Sequence, residues 1–145
     1  MHPGYLSVET HPQHQGIIRF GKQLYAPKLP DGEAGGHICY LARFNDIDAA
    51  MMHIHEALRH QLVDLDNHRY RVKVADAIAA VKSRQLKQSE TWIDPDLDDE
   101  TMQSIDASIA RYKQRQARFE ELMKLVAKAA IVVLLAEAVM MTLFF

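Results

Sequence analysis

A chain of 145 residues has room for one small domain beside a long helical segment, which excludes an active site between two large domains. The formal net charge of −2 gives no general attraction to nucleic acid, so we do not expect nucleic acid among the partners. The single cysteine, Cys39, excludes an internal disulfide, and its apolar neighbours indicate a packed core thiol.

The first 45 residues predict β structure. Three runs rich in β-branched and aromatic residues read YLSVE, GIIRFGKQLYA and HICYLARF. The linker PKLPDGEAGG predicts a hairpin loop between the second and third strands. Because nearly every position of the third run is apolar, we expect that strand in the interior of the sheet.

Two helices and a short strand are predicted next. Asn45 is expected to cap a helix that runs to about Val63. The apolar stripe that should cover the sheet comprises Ile47, Met51, Ile54, Leu58 and Leu62. HRYRVKV then predicts an edge strand, and ADAIAAVKSRQL predicts a second helix. Residues 1–88 therefore predict a small α+β head.

The chain becomes acidic over residues 89–100, which we interpret as a hinge and helix cap. Asp94 and Pro95 fit the N-cap and N1 positions of a long helix. No Pro or Gly interrupts the chain beyond this point, so the helix is expected to continue to the end. We predict an amphipathic, coiled-coil-like stalk at residues 101–124 and a transmembrane helix at residues 125–145.

Residues spaced alternately three and four apart form a heptad seam along this helix, which predicts a partner helix. Two members, Gln116 and Glu137, are polar, and they occupy equivalent positions three heptads apart. The seam comprises Met102, Ile105, Ile109, Tyr112, Gln116, Phe119, Met123, Val126, Ala130, Val133, Glu137, Met140 and Phe144.

The segment at residues 125–145 would be roughly 31 Å long as a helix, which matches the hydrocarbon core of a bilayer. Lys128 and Glu137 are its only charged residues. Basic residues precede it, which predicts a cytoplasmic head, a single pass and a C-terminus on the opposite side. Those expected at the lipid headgroups are Arg111, Lys113, Arg115, Arg118, Lys124 and Lys128.

The position of the apolar segment predicts a tail-anchored protein, and a buried helix of a soluble complex is the alternative. Glu137 is expected either to meet a polar group of another membrane subunit or to form a ring among identical copies. A third interpretation places it protonated, or near the far membrane surface.

Eight histidines raise the hypothesis of a metal site, above all in HIHEALRH. The spacing from His55 to His60 differs from that of the zinc-protease motif. His53, Glu56 and His60 share one helical face but supply too few ligands by themselves. We therefore predict no metal and no cofactor, with these three residues as the remaining candidates.

These features together predict a non-catalytic, tail-anchored accessory or assembly subunit of a multi-subunit membrane complex. Its expected partners are other membrane subunits, bound through the C-terminal helix, and the lipid bilayer. The alternative is a self-associating membrane effector that forms a homo-oligomeric pore or membrane-perturbing bundle. A metal-binding enzyme that depends on the histidine face is the third hypothesis.

Overall fold

The computed structural model describes residues 1–83 and 86–144 of the chain. The last two of these residues, Leu143 and Phe144, are described by their backbone alone. Parts of the predicted head and membrane helix lie outside the described residues, namely Arg84, Gln85 and Phe145.

The chain divides into two compact units. We call Met1–Ala110 the N-terminal unit and Arg111–Phe145 the C-terminal unit. The N-terminal unit holds a β-sheet and short helices, and one long helix follows them in the chain. The predicted α+β class, with one long C-terminal helix, is therefore confirmed.

A six-stranded antiparallel sheet organises the N-terminal unit. Its strands are β1 (Gly4–Thr10), β2 (Ile17–Gln23), β3 (His37–Phe44), β4 (Leu62–Asp64), β5 (Arg69–Arg71) and β6 (Gln88–Ile93). Their order across the sheet is β4-β5-β2-β1-β3-β6. The segment HRYRVKV is predicted to form an edge strand. The strand found there, β5, lies inside the sheet because β4 pairs along its outer side.

The predicted hairpin between β2 and β3 is wrong, because β1 lies between them. Val8 of β1 is in register with Phe20 on one side and with Tyr40 on the other. Both β1 side chains Leu6 and Val8 are fully buried, and a strand paired on both sides gives them neighbours in the core. β3 lies inside the sheet, between β1 and β6, as its apolar sequence predicts.

Helix α1 (Ile47–Leu58) begins one residue later than its predicted cap implies. Asp46 is the N-cap, and its side chain accepts a hydrogen bond from the backbone N–H of Ala49 at 3.2 Å. The helix ends before Val63, because a 3-10 turn and β4 use the residues that follow Leu58. Four of the five residues predicted for its buried stripe, Ile47, Met51, Ile54 and Leu58, are buried on the helix, whereas the fifth, Leu62, begins β4.

Helix α2 (Val74–Lys82) packs against α1 and β1. Ala77, Ile78 and Val81 are fully buried. Every residue of α2 from Ala77 to Val81 is buried, so small alanines let the helix lie close to its neighbours.

The acidic segment differs from its interpretation as a hinge. Residues 88–93 form β6, an edge strand paired with β3, and polar side chains are common on such edges. Helix α3 (Asp99–Phe144) begins five residues after Asp94. Its first intrahelical bond runs from the N–H of Met102 to the carbonyl of Asp98, so Asp98 occupies the cap position predicted for Asp94.

The first turns of α3 belong to the N-terminal unit, and they bury part of the heptad seam there. Ile105 is 2% exposed, and Ser108 donates a hydrogen bond to Asp76 of α2 at 2.6 Å. Ile105 therefore has packing partners within its own chain, whereas the sequence predicts a separate partner helix at that position.

A partly buried ion pair joins β1 and β2. Glu9 is 2% exposed, and its carboxylate accepts hydrogen bonds from Ser7 Oγ at 2.6 Å and from Arg19 Nη1 at 2.9 Å. Gly21 on β2 leaves the space for this group, because a Cβ there would collide with Ser7 Oγ and a Glu9 carboxylate oxygen. The charge is thus compensated where solvent cannot reach it.

Candidate functional site

From Leu125 onward, the outer surface of the C-terminal unit is apolar. Within the described residues, one helix is long and apolar enough to cross a membrane, and its most apolar window has no buried residue. Every described side chain from 113 to 142 is exposed. A contiguous exposed surface of Val, Ile and Leu is unfavourable in water, so this segment requires lipid or protein around it.

Glu137 lies within this apolar surface. Its side chain is exposed, and the nearest charged residue along the helix is Lys128, nine positions earlier. Nine residues correspond to two and a half turns, or roughly 13 Å, which is too far for an ion pair within one helix. A carboxylate in such surroundings needs water, a proton or a partner from another helix.

The basic residues predicted at the headgroups all lie on α3; five precede the predicted membrane segment, and Lys128 lies about one turn inside it. All but Arg111 fall in the uniformly exposed stretch that begins at Lys113. Their sequence order is the only information on membrane orientation. The cytoplasmic position of the head therefore stays a prediction.

The seam continues through the C-terminal unit as a series of exposed positions after the half-buried Tyr112. The amide of Gln116 lies 3.5 Å from the Glu120 carboxylate one turn further on, so it has a weak contact within its own helix. The remaining described members are Phe119, Met123, Val126, Ala130, Val133 and Met140, and the side chain of Phe144 is outside the described part. Coiled-coil packing of these positions stays a prediction.

The N-terminal unit contains a cleft of about 950 Å³. It lies beside the end of β1, the start of β3 and the first residues of α2 and α3. Its polar lining includes Thr10, His11, His14, His37, Lys73 and Asp98. This volume and mixture of charges suit a small polar ligand.

Three side chains with metal-ligand chemistry meet at His37, one of the residues that line this cleft. Among the described residues, His37, Cys39 and Asp94 form the only group of three His, Cys, Asp or Glu side chains whose ligand atoms all lie within 4.8 Å of one another. His37 Nε2 and Asp94 Oδ2 are 2.5 Å apart. Cys39 and Asp94 are buried, and His37 is half-exposed.

The backbone fixes this group. The N–H of Asp94, directly after β6, donates to the carbonyl of Cys39 on β3 at 2.9 Å. Asp94 Oδ1 accepts a hydrogen bond from the N–H of Asp96 at 3.0 Å, which leaves Oδ2 for His37. Thr10 Oγ1 lies 3.7 Å from Cys39 Sγ.

Burial raises the pKa of the Cys39 thiol, and the nearby carboxylates of Asp94 and Glu9 raise it further against the opposing effect of Thr10. Burial also acts to raise the pKa of Asp94, but the hydrogen bonds from His37 and Asp96 outweigh it and hold that pKa below its usual range. The group thus pairs a neutral thiol with a carboxylate, which is unsuitable for thiolate catalysis.

The histidine face predicted from the sequence, with His53, Glu56 and His60, is a different part of the N-terminal unit. His53 Nδ1 is 3.9 Å from Glu56 Oε2, and that glutamate is largely exposed. His60 accepts a hydrogen bond from Arg59 instead, at 3.2 Å. Within the described residues, these three side chains are not brought together as a group of ligands.

Sequence reasoning missed the group at His37, Cys39 and Asp94. The signal available was the pair of ligand-type residues two positions apart in HICYLARF. Asp94 could be added to this pair only by knowing that β6 pairs with β3, whereas the sequence of residues 89–100 indicates a hinge.

Comparison of the chain with protein-family models, with curated proteins and with solved structures finds no match in any of the three.

Proposed function

We propose that this chain is a non-catalytic, membrane-anchored accessory subunit of a multi-subunit membrane complex. The N-terminal unit would bind a component at the cytoplasmic surface, and the apolar part of α3 would pack beside a membrane helix of a neighbouring subunit. The tail-anchored, single-pass topology predicted from the sequence is part of this proposal.

The observation that carries the proposal is the exposed apolar surface of α3. Membrane insertion removes that surface from water, and the helix satisfies its backbone hydrogen bonds internally as a lipid environment requires. The N-terminal unit, in contrast, buries a core of apolar residues between its sheet and helices. A water-soluble body joined to a lipid-soluble helix is the usual division in anchored subunits.

Glu137 supports a role in assembly. A charged carboxylate near the centre of a membrane helix costs about 2.5–3.5 kcal/mol on insertion scales. Its position on the seam, one turn from Val133 and Met140, gives it the same direction as the apolar residues that would contact a partner helix. A basic or polar group on that partner would offset the cost.

The test is purification of the tagged full-length protein from membranes in mild detergent, with identification of co-purifying chains. Wild type is expected to bring down foreign membrane subunits in fixed stoichiometry. Glu137→Leu should stay in the membrane and lose those subunits. Glu121→Leu removes another exposed carboxylate of α3, outside the apolar segment, and should retain them. Wild type that purifies without foreign subunits would contradict the proposal.

A self-associating membrane effector is the second candidate, favoured by the exposure of apolar residues on every side of α3. Identical copies would then gather Glu137 around a common axis, where carboxylates share protons or contact water. The same purification separates the two. A homo-oligomer of defined mass that Glu137→Leu dissociates would support the effector.

A further inference from the structure

The group at His37, Cys39 and Asp94 combines three different ligand atoms: an imidazole nitrogen, a sulfur and a carboxylate oxygen. Zinc accepts all three, and open zinc sites commonly use three protein ligands and leave one position free. Calcium and magnesium prefer oxygen alone, so the sulfur argues against them. The donor set therefore favours a borderline metal such as Zn²⁺ or Co²⁺.

The location also favours a cation. A thiolate at Cys39 and the carboxylate of Asp94 would together carry the two negative charges that neutralise a divalent ion in a largely buried place.

The three ligand atoms lie within 4.8 Å of one another, so adjustments of about 1 Å bring them to the separations of a zinc site. Tetrahedral zinc separates its ligand atoms by roughly 3.3–3.6 Å, given bond lengths of about 2.0–2.3 Å. The His37–Asp94 contact must widen by about 1 Å from its hydrogen-bonded 2.5 Å. The half-exposed imidazole can turn to do so, while the backbone bond between Asp94 and Cys39 keeps the other two ligands in place.

We propose that His37 Nε2, Cys39 Sγ and Asp94 Oδ2 bind one divalent metal ion of the zinc type. Binding releases the thiol proton of Cys39 to solvent and engages His37 as a neutral imidazole with its proton on Nδ1. Because His37 and Thr10 also line the 950 Å³ cleft, the ion lies at the wall of a space that admits a small fourth ligand.

This site goes beyond the role of α3 in the membrane and is independent of it. The proposal differs from the sequence prediction of no metal. Its ligands lie at the sheet, whereas the candidates named from the sequence lie on and just after helix α1. A hydrogen-bonded His–Asp pair beside a core thiol is the competing explanation of the same contacts. That explanation requires no ion, so metal binding separates the two.

The test is titration of the metal-free full-length protein in mild detergent with Co²⁺. One equivalent is expected to produce the near-ultraviolet charge-transfer absorption of a cobalt–thiolate bond, and Zn²⁺ should displace it. Cys39→Ser should abolish that absorption and weaken metal binding at least 10–100-fold, the range seen when even supporting partners of a ligand are lost. Asp94→Asn should keep the absorption but weaken binding.

The double variant His53→Gln with His60→Gln is the matched control for histidine-only binding, and it should titrate as wild type does. Circular dichroism checks that each variant is folded. If Cys39→Ser or Asp94→Asn fails to fold, His37→Gln at the half-exposed position should keep the thiolate absorption and weaken metal binding. Wild type that lacks the thiolate absorption, or binding lost in the control and retained in Cys39→Ser, would overturn the site.

Discussion

The two units use the same apolar residue types in opposite environments. In the N-terminal unit, Val8 and Phe20 are fully buried. In the C-terminal unit, Val133 is 56% exposed and Leu134 is 64% exposed. The N-terminal unit thus completes a hydrophobic core within one chain, whereas the C-terminal unit requires apolar surroundings that the chain itself does not provide.

This contrast shows why composition alone does not assign a role to an apolar residue. An inward apolar side chain contributes to the stability of the unit that contains it. An outward one contributes to insertion or association. The same substitution should therefore affect folding in one unit and localisation in the other.

The largest expected effect is on membrane insertion. Two lysines in the apolar part of α3, Val132→Lys with Leu135→Lys, should cost about 6 kcal/mol of insertion free energy and release the protein from membranes. The matched control is Met52→Lys with Leu65→Lys, at exposed apolar positions of the N-terminal unit, and it should leave insertion unchanged. Membrane flotation measures both, and equal flotation of the two double variants would remove the distinction between the units.

A core substitution tests the opposite side of the comparison. Phe20→Ala should lower the free energy of unfolding of the N-terminal unit by about 3–5 kcal/mol, because it opens a cavity beside Tyr70, whose ring centroid lies 5.4 Å away. Phe119→Ala makes the same change at a side chain that is 63% exposed, and it should alter unfolding little. Denaturant titration of both variants gives the comparison.

The partly buried ion pair gives the next effect. Arg19→Ala should destabilise the N-terminal unit by about 3 kcal/mol, because it leaves the Glu9 carboxylate buried without its cationic partner. Lys22→Ala breaks an ion pair with Asp48 in which both side chains are about half-exposed, so little change is expected. Similar unfolding midpoints for the two variants would contradict the importance of burial here.

The smallest expected effect is a dependence on pH. Burial, helped by Lys22 and Arg19, lowers the pKa of His68 below its ordinary 6.5. The folded state therefore favours the neutral ring. The stabilisation of the fold by neutral His68 is present above pH 6.5 and is lost as pH falls through the lower folded-state pKa. His68→Asn removes the titration and suits the positive φ of 50°. Its unfolding midpoint should fall less on acidification than that of wild type.

The sequence predicts much of the fold where periodicity is strong. The spacing of apolar residues predicts the buried stripe of α1, and the continuous apolar run of β3 predicts its place inside the sheet. The strand order cannot be predicted in this way, because the residues of β2 and β3 carry no local sign that β1 lies between them. β6 was missed because the polar side chains of an edge strand resemble those of a linker.

Of the two candidate sites, one is recognisable from a local sequence pattern and the other is not. Glu137 and the apolar stretch around it are recognisable from sequence, since a charge in a long apolar run is a local pattern. The group at His37, Cys39 and Asp94 is not, because Asp94 is 55 residues from Cys39 in the chain and is placed by pairing across the sheet. Long-range pairing of this kind depends on the whole fold.

The contrast between the units is tested most directly by alkaline carbonate extraction of membranes from cells that make the full-length protein. High pH removes peripheral proteins and leaves inserted helices in the bilayer. The protein is expected to remain in the membrane pellet, with the apolar part of α3 in lipid. Quantitative release into the supernatant would contradict the membrane anchor and require a protein partner to cover the exposed surface of the C-terminal unit.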